Sequence, residues 1–346
     1  MPHCVQVDPR ERLLVLDRSN KRVQVFDKTG ELLDIWTDVL SGKGAGRRGQ
    51  ELRAESGVDG AYRDRRKMTT ETTWSPVEGD LQTILASHPR PLEELLSGEV
   101  PAFIMRGAYD SDHAAALVRR FYDRGLLFDP RTRDEKIGRV DIGTSMGGRG
   151  SDQEAFFAHA EQTHELFETF FDGYDDPVEL IYDTLTALAV DKRAVVGHEP
   201  DGRRYGPAIF RTYYEGRGHG PHLDVLARDR LVGGSRAGYD IIRFERQLSA
   251  VLCFQPAEFD EERGQTFVYR KRWDPSLPKG WNKTWVGDAD SAGIDRVRIQ
   301  LEAGDLYVFC SEFVHEVPLV RGDTPRIVLA AFCGWSQDED EMFVWS

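Results

Sequence analysis

The residues best equipped for chemistry are His222, Asp224, His315 and Arg326. A histidine and a carboxylate two positions apart on an extended strand project to the same side, because strand side chains alternate with a period of two. One more imidazole from a neighbouring strand closes a three-cornered ligand set, and His315 can supply it. Two neutral imidazoles and one carboxylate, with three positions left open, form the facial triad that suits non-haem Fe(II) working with O2. Arg326 opens the apolar run Arg326–Phe332, where a guanidinium is costly to bury without an anion. 2-Oxoglutarate would be that anion, chelating iron through its keto-acid end and offering its far carboxylate to a planar, bidentate donor. A salt bridge from Arg326 to a local Asp or Glu is the competing reading.

These four side chains need a scaffold that joins distant strands. Residues 208–214, 247–254, 266–272, 297–301, 305–309 and 326–332 have strand character, separated by turns or glycines. Ahead of them come helical patterns: a short helix around Leu81–Leu96, one from an Asp110 N-cap to about Arg124, and two over Gln153–Phe171 and Pro177–Val190. A strand over Ala102–Arg106 lies among them. Helices gathered before many short strands imply an α+β domain over residues 71–346, built round a jelly-roll, cupin-like double-stranded β-helix. Facing sheets of such a fold can bring His222, Asp224 and His315 together despite their separation.

The first forty residues have another pattern. Cys4–Val7, Leu13–Leu16, Val23–Phe26 and Leu32–Trp36 read as a four-stranded β-meander, with turn residues between them. This segment resembles a single NHL repeat, one β-propeller blade, although propellers need about four to eight blades. Residues 41–70 have linker composition, and Met68 is a candidate start for the working protein. The extension is either a docking appendage or dispensable.

Composition narrows the partners. A chain of 346 residues with 40% hydrophobic content can bury a large core. Its formal charge of −14 argues against a nucleic-acid partner. With no apolar run of membrane-spanning length and no signal-peptide layout at Met1–Gln6, a cytoplasmic protein without a membrane partner is expected. The four cysteines lack metal or disulfide spacing, and Asn282-Lys283-Thr284 is read as a chance sequon. Nothing in the sequence sets an oligomeric state.

Three further motifs compete for function. His219 precedes His222 by three and should face the other way on a regular strand, which leaves it to the substrate pocket or to a role behind the ligands. Gly143-Thr144-Ser145-Met146-Gly147 matches the nucleophile-elbow pattern, but Gly148-Arg149-Gly150 should break the helix that this motif requires. Trp273, Trp281 and Trp285 lie in a Pro- and Gly-rich stretch, where aromatics either form a lid over an apolar substrate or pin the loop.

From about Ala102 to Ser346 the sequence resembles the Fe(II)/2-oxoglutarate oxygenases related to the standalone welwitindolinone-type alkaloid halogenases. Tyr214-Glu215-Gly216-Arg217, Gly264–Tyr269, Trp273-Asp274-Pro275, Gly304-Asp305, His315, Arg321–Arg326 and Phe343-Val344-Trp345-Ser346 carry the resemblance. It implies a double-stranded β-helix with His222 and His315 as metal ligands and Arg326 as the 2-oxoglutarate anchor. Those halogenases have glycine at the carboxylate position, which frees a site for chloride, whereas this chain has Asp224. The expected reaction is therefore hydroxylation of an unactivated C–H bond of a free small molecule, with release of succinate and CO2. A hydrophobic, indole-bearing or amino-acid-derived substrate of specialised metabolism fits the resemblance. Val328, two residues after Arg326, stands where many 2-oxoglutarate enzymes place Ser or Thr, so one co-substrate hydrogen bond must come from elsewhere. Desaturation, ring closure and halogenation remain alternatives, as does a non-catalytic jelly-roll binding protein.

Overall fold

The computed structural model describes residues 74–127, 139–232, 236–257, 266–274, 281–283 and 285–346, together with the backbone of four strands between residues 4 and 37. The chain divides into two compact units, Met1–Thr69 and Thr70–Ser346. In the first, β1 (Cys4–Val7), β2 (Leu13–Asp17), β3 (Arg22–Phe26) and β4 (Leu32–Thr37) form one antiparallel sheet in sequence order. The meander expected there is present to within one residue at each strand end. The linker over residues 41–70 lies outside the described residues.

The second unit is built on two sheets. The larger has at its centre two ten-residue strands, β11 (Arg246–Gln255) and β16 (Arg326–Trp335), paired antiparallel. Beside them run β5 (Val77–Gly79), β6 (Phe103–Met105) and β14 (Leu306–Cys310) on one side. On the other side β17 (Glu341–Trp345) pairs with β8 (Arg193–Val196), while β9 (Ile209–Tyr213) joins β16 and carries β7 (Arg139–Ile142). The smaller sheet has the order β10 (His219–His222), β15 (Phe313–Val317), β12 (Thr266–Arg272), β13 (Arg296–Ile299).

Helices cover the outer face of the large sheet. These are α1 (Leu81–Ser87), α2 (Pro91–Ser97), α3 (Ser111–Asp123), α4 (Met146–Arg149), α5 (Gln153–Phe170) and α6 (Pro177–Ala189). Asp110 caps α3 as expected, accepting from the backbone N–H groups of Asp112 and His113. The single helix expected over Leu81–Leu96 is instead two. Pro91 lacks an N–H and restricts the residue before it, so the chain leaves helical geometry after Ser87 and restarts with Pro91 at the first position of α2.

The helical layer sets the inward face of β9. Phe210 is fully buried under Phe121 of α3 and Phe170 of α5, with ring centroids 4.7 and 6.3 Å away. By strand alternation, anchoring Phe210 outward turns Ile209, Arg211 and Tyr213 to the opposite side, and all three line the space between the sheets. The strands β7 and β8 carry no clear signal in the sequence, because each is only four residues long and opens on an arginine, with Asp141 interrupting β7 as well. Among the described residues no helix is long and apolar enough to cross a membrane.

Candidate active site

Between the two sheets lies a cavity, and His222, Asp224, His315 and Arg326 all line it. His222 ends β10 directly opposite His315 on β15, and their ring centroids are 4.1 Å apart. One carboxylate oxygen of Asp224 lies 3.5 Å from Nε2 of His315 and 3.8 Å from Nε2 of His222. One donor atom from each residue falls within 4.8 Å of the other two.

Asp224 reaches this position differently from the strand alternation expected of it. β10 stops at His222, and Asp224 is held by its backbone N–H donating to the carbonyl of Ser311 at 3.0 Å. Ser311 sits in the tight turn between β14 and β15, where the carboxylate of Glu312 accepts from Arg246 at 2.9 Å and from the backbone N–H of Gln247 at 3.0 Å. Leu223 and Val225, on either side, bury against Val314 and Trp285, which leaves the Asp224 side chain on the cavity side.

Each imidazole is oriented from its own strand. Nδ1 of His222 lies 2.7 Å from the carbonyl of Gly220, and Nδ1 of His315 lies 2.9 Å from that of Phe313. A carbonyl only accepts, so each ring carries a proton on Nδ1, and Nε2 is the atom that faces Asp224. Burial, then the neighbouring His315, pushes the pKa of His222 well below its ordinary value. Burial by itself would raise that of Asp224, but the two imidazoles outweigh it and hold the carboxyl below the usual carboxylate range. A lowered imidazole pKa at His222 and a lowered carboxyl pKa at Asp224 both favour the deprotonated forms that bind a divalent metal.

Arg326, 5% exposed, opens β16 with its guanidinium 5.7 Å from the centre of the Tyr213 ring. Among the described residues no carboxylate forms an ion pair with it, so the salt-bridge alternative finds no partner there. Tyr307 and Thr266 line the same cavity and share a hydrogen bond of 2.8 Å.

His219 differs from its expected position. The pairing of β10 with β15 is irregular between His219 and His222, and this shift brings His219 to the same side as His222. Their rings stack at 3.7 Å, and His219 lines the cavity but stands outside the three-residue cluster. Burial, then the charge of Arg211, pushes its pKa down to about 4. Gly218, just ahead of β10, allows the backbone of Val317 and Pro318 to come so close that a Cβ would collide with their carbonyls.

The other motifs resolve as structure. A short helix, α4, does begin immediately after Ser145, contrary to the expected break at Gly148. No histidine ring bonds to Ser145 among the described residues. The loop instead fixes Ser346, whose hydroxyl donates to the Thr144 carbonyl at 3.0 Å and which lines the cavity. None of Trp273, Trp281 and Trp285 lines the cavity: they pack with Tyr269 and Val314 on the outer face of the small sheet. Their side chains pin rather than cover, because alternate residues of β12 and β15 turn away from the site.

Sequence reasoning missed Arg211. It lies in the middle of the buried strand β9, lines the cavity, and its Nε is buried without a hydrogen-bond partner. An arginine inside an apolar strand is the signal that singled out Arg326, and it was there to be read in Ile209-Phe210-Arg211-Thr212-Tyr213.

Comparison with known proteins agrees with the division into two units. Residues 1–26 match the NHL repeat, and 45 residues are 49% identical to NHL repeat-containing protein 3 of Homo sapiens, a match covering 13% of this chain and 13% of that protein. The Mus musculus protein of the same name matches equally. Among solved structures, an N-substituted L-amino acid dioxygenase from Burkholderia ambifaria, in complex with alpha-KG, aligns at 14% identity and a TM-score of 0.46, over 76% of this chain and 91% of that one. A prolyl hydroxylase from Trichoplax adhaerens aligns at 12% identity and a TM-score of 0.38, over 73% and 90%. Residues 77–346 match the family described as carrier-protein-independent halogenase WelO5, and by that match over most of its length the chain belongs to the WelO5-type family.

Proposed function

We propose that the protein is an Fe(II)- and 2-oxoglutarate-dependent oxygenase that hydroxylates a C–H bond of a free small molecule, converting 2-oxoglutarate and O2 to succinate and CO2. The donor set fits the metal: two imidazoles, each turned to present Nε2, and one carboxylate gather at one point. The buried Arg326, with no carboxylate paired to it among the described residues, fits the far carboxylate of the co-substrate. Iron bound there would supply O2 activation driven by decarboxylation of 2-oxoglutarate.

The protein's own groups do the rest. The carbonyls of Gly220 and Phe313 accept from Nδ1 of the two imidazoles, so Nε2 is the atom each ring offers to a metal. Arg326 orients the co-substrate from the opposite wall, while Ile209, Val251 and Phe332 give the substrate an apolar surface and exclude water.

Asp224 carries the choice of hydroxylation. With Asp224 as a third protein ligand beside His222 and His315, a metal held there would have no position to spare for a halide once the co-substrates were accommodated. Membership of a halogenase family favours halogenation as the second reading. Two measurements separate them. Anaerobic Fe(II) with 2-oxoglutarate should give a weak visible charge-transfer band that His222→Ala abolishes; an intact protein without the band defeats the enzyme reading. Products formed with chloride present, found in a screen of succinate release over a metabolite panel, should carry hydroxyl; a chlorinated product defeats hydroxylation. Asp224→Gly should open the position to chloride at the expense of hydroxylation.

A further inference from the structure

We propose that Arg211 is a receptor for a carboxylate carried by the primary substrate, so that the pocket takes small monoanionic acids with an apolar body. The inference rests on the oxygenase reading above and adds the substrate class to it.

Arg211 is opposite Val328 in the β9–β16 ladder, two residues along from the Tyr213–Arg326 pair. Two residues of strand separate the two arginines by roughly 6.6 Å of backbone rise, so they form two anion subsites along one wall. Arg211 faces the cavity, and its Nε is buried and unpartnered. A guanidinium in that setting is stabilised only when an anion completes its hydrogen bonds.

The nearby acidic group is already engaged. Asp141 of β7 is directly opposite Arg211; its Oδ2 pairs with Arg139 at 2.8 Å, and its Oδ1 is buried without a hydrogen-bond partner, as is Arg211 Nε, so the two side chains do not bond to each other. Among the described residues no carboxylate forms an ion pair with Arg211 or Arg326, and both face the cavity. In the oxygenase reading one carboxylate of 2-oxoglutarate meets Arg326 and the other meets the metal, so Arg211 calls for one further anion. Ile209 precedes it by two on β9, and Ala330 and Phe332 line the same wall from β16. An acid whose carboxylate meets Arg211 would lay its apolar part along these side chains, within the cavity that holds His222.

The test uses the full chain, anaerobic, loaded with Fe(II) and 2-oxoglutarate. Butyrate, 3-phenylpropionate and indole-3-propionate are each titrated against their primary amides, with binding read from the shift of the charge-transfer band and by calorimetry. At least one acid should bind about 10- to 100-fold more tightly than its amide. Arg211→Gln should bring that ratio to about one, Arg211→Lys should keep part of it, and both should leave 2-oxoglutarate affinity unchanged. No acid preferred over its amide overturns the proposal, as does a ratio that survives in Arg211→Gln. Loss of 2-oxoglutarate affinity in Arg211→Gln also overturns it, since the guanidinium would then serve the co-substrate. Absence of the band in the unmutated protein defeats the oxygenase reading separately; the acid–amide comparison is then made by calorimetry on the metal-free chain.

Discussion

The two walls of the cavity are prepared in opposite ways. On the small-sheet wall, His222 and His315 already have partners for their Nδ1 atoms, and Asp224 is fixed through Ser311 before any ligand arrives. On the large-sheet wall, Arg326 and Arg211 face the cavity with no carboxylate paired to either among the described residues. A metal wants a rigid donor set of defined protonation, whereas a carboxylate supplies its own charge and needs only cations waiting for it. The difference separates what the protein supplies from what its ligands bring.

That contrast can be broken at either wall. The largest effect is expected from His315→Ala, which removes a proposed metal ligand: succinate release should fall to background while circular dichroism stays native. An active His315→Ala protein would mean that the small-sheet wall is not the metal wall. Arg326→Gln should raise the apparent KM for 2-oxoglutarate by about 10- to 100-fold, as expected for loss of a charge-assisted, bidentate contact, with Fe(II) affinity unchanged. If metal affinity falls in step, the two walls do not act separately.

Behind the metal wall, Trp285→Ala should cost about 3 kcal/mol of stability through the cavity it leaves, measured by denaturant unfolding, with the substrate's KM unaltered. A raised KM without destabilisation would restore the lid reading. The smallest effect is expected from a chain beginning at Met68, whose turnover and solubility should match those of the full protein. Loss of either would show that residues 1–67 are needed.

The chemistry at the ends of this site was legible because its residue types are unusual where they stand. An arginine heading an apolar strand stands out, whereas the His-x-Asp triplet is common by chance and gains weight only beside His315 and Arg326; the helices ahead of the strands follow from apolar periodicity and the Asp110 cap. What stayed hidden depends on pairing between distant segments. The shift in β10 that turns His219 inward exists only in its register with β15. The outward packing of the three tryptophans depends on which face of the small sheet meets the cavity. Arg211 was readable in principle, but its inward direction is set by Phe210 packing under α3 and α5, some forty to ninety residues earlier in the chain.

The carbonyls that orient His222 and His315 belong to Gly220 and Phe313, each two residues back on the ligand's own strand. Each ligand therefore travels with its own orienting group, as a three-residue module. Substitutions on the opposite wall can reshape the space offered to a substrate without touching either module. A scaffold wired in this way can change its substrate by drift in β9, β11 and β16 while the proposed metal chemistry stays in tune.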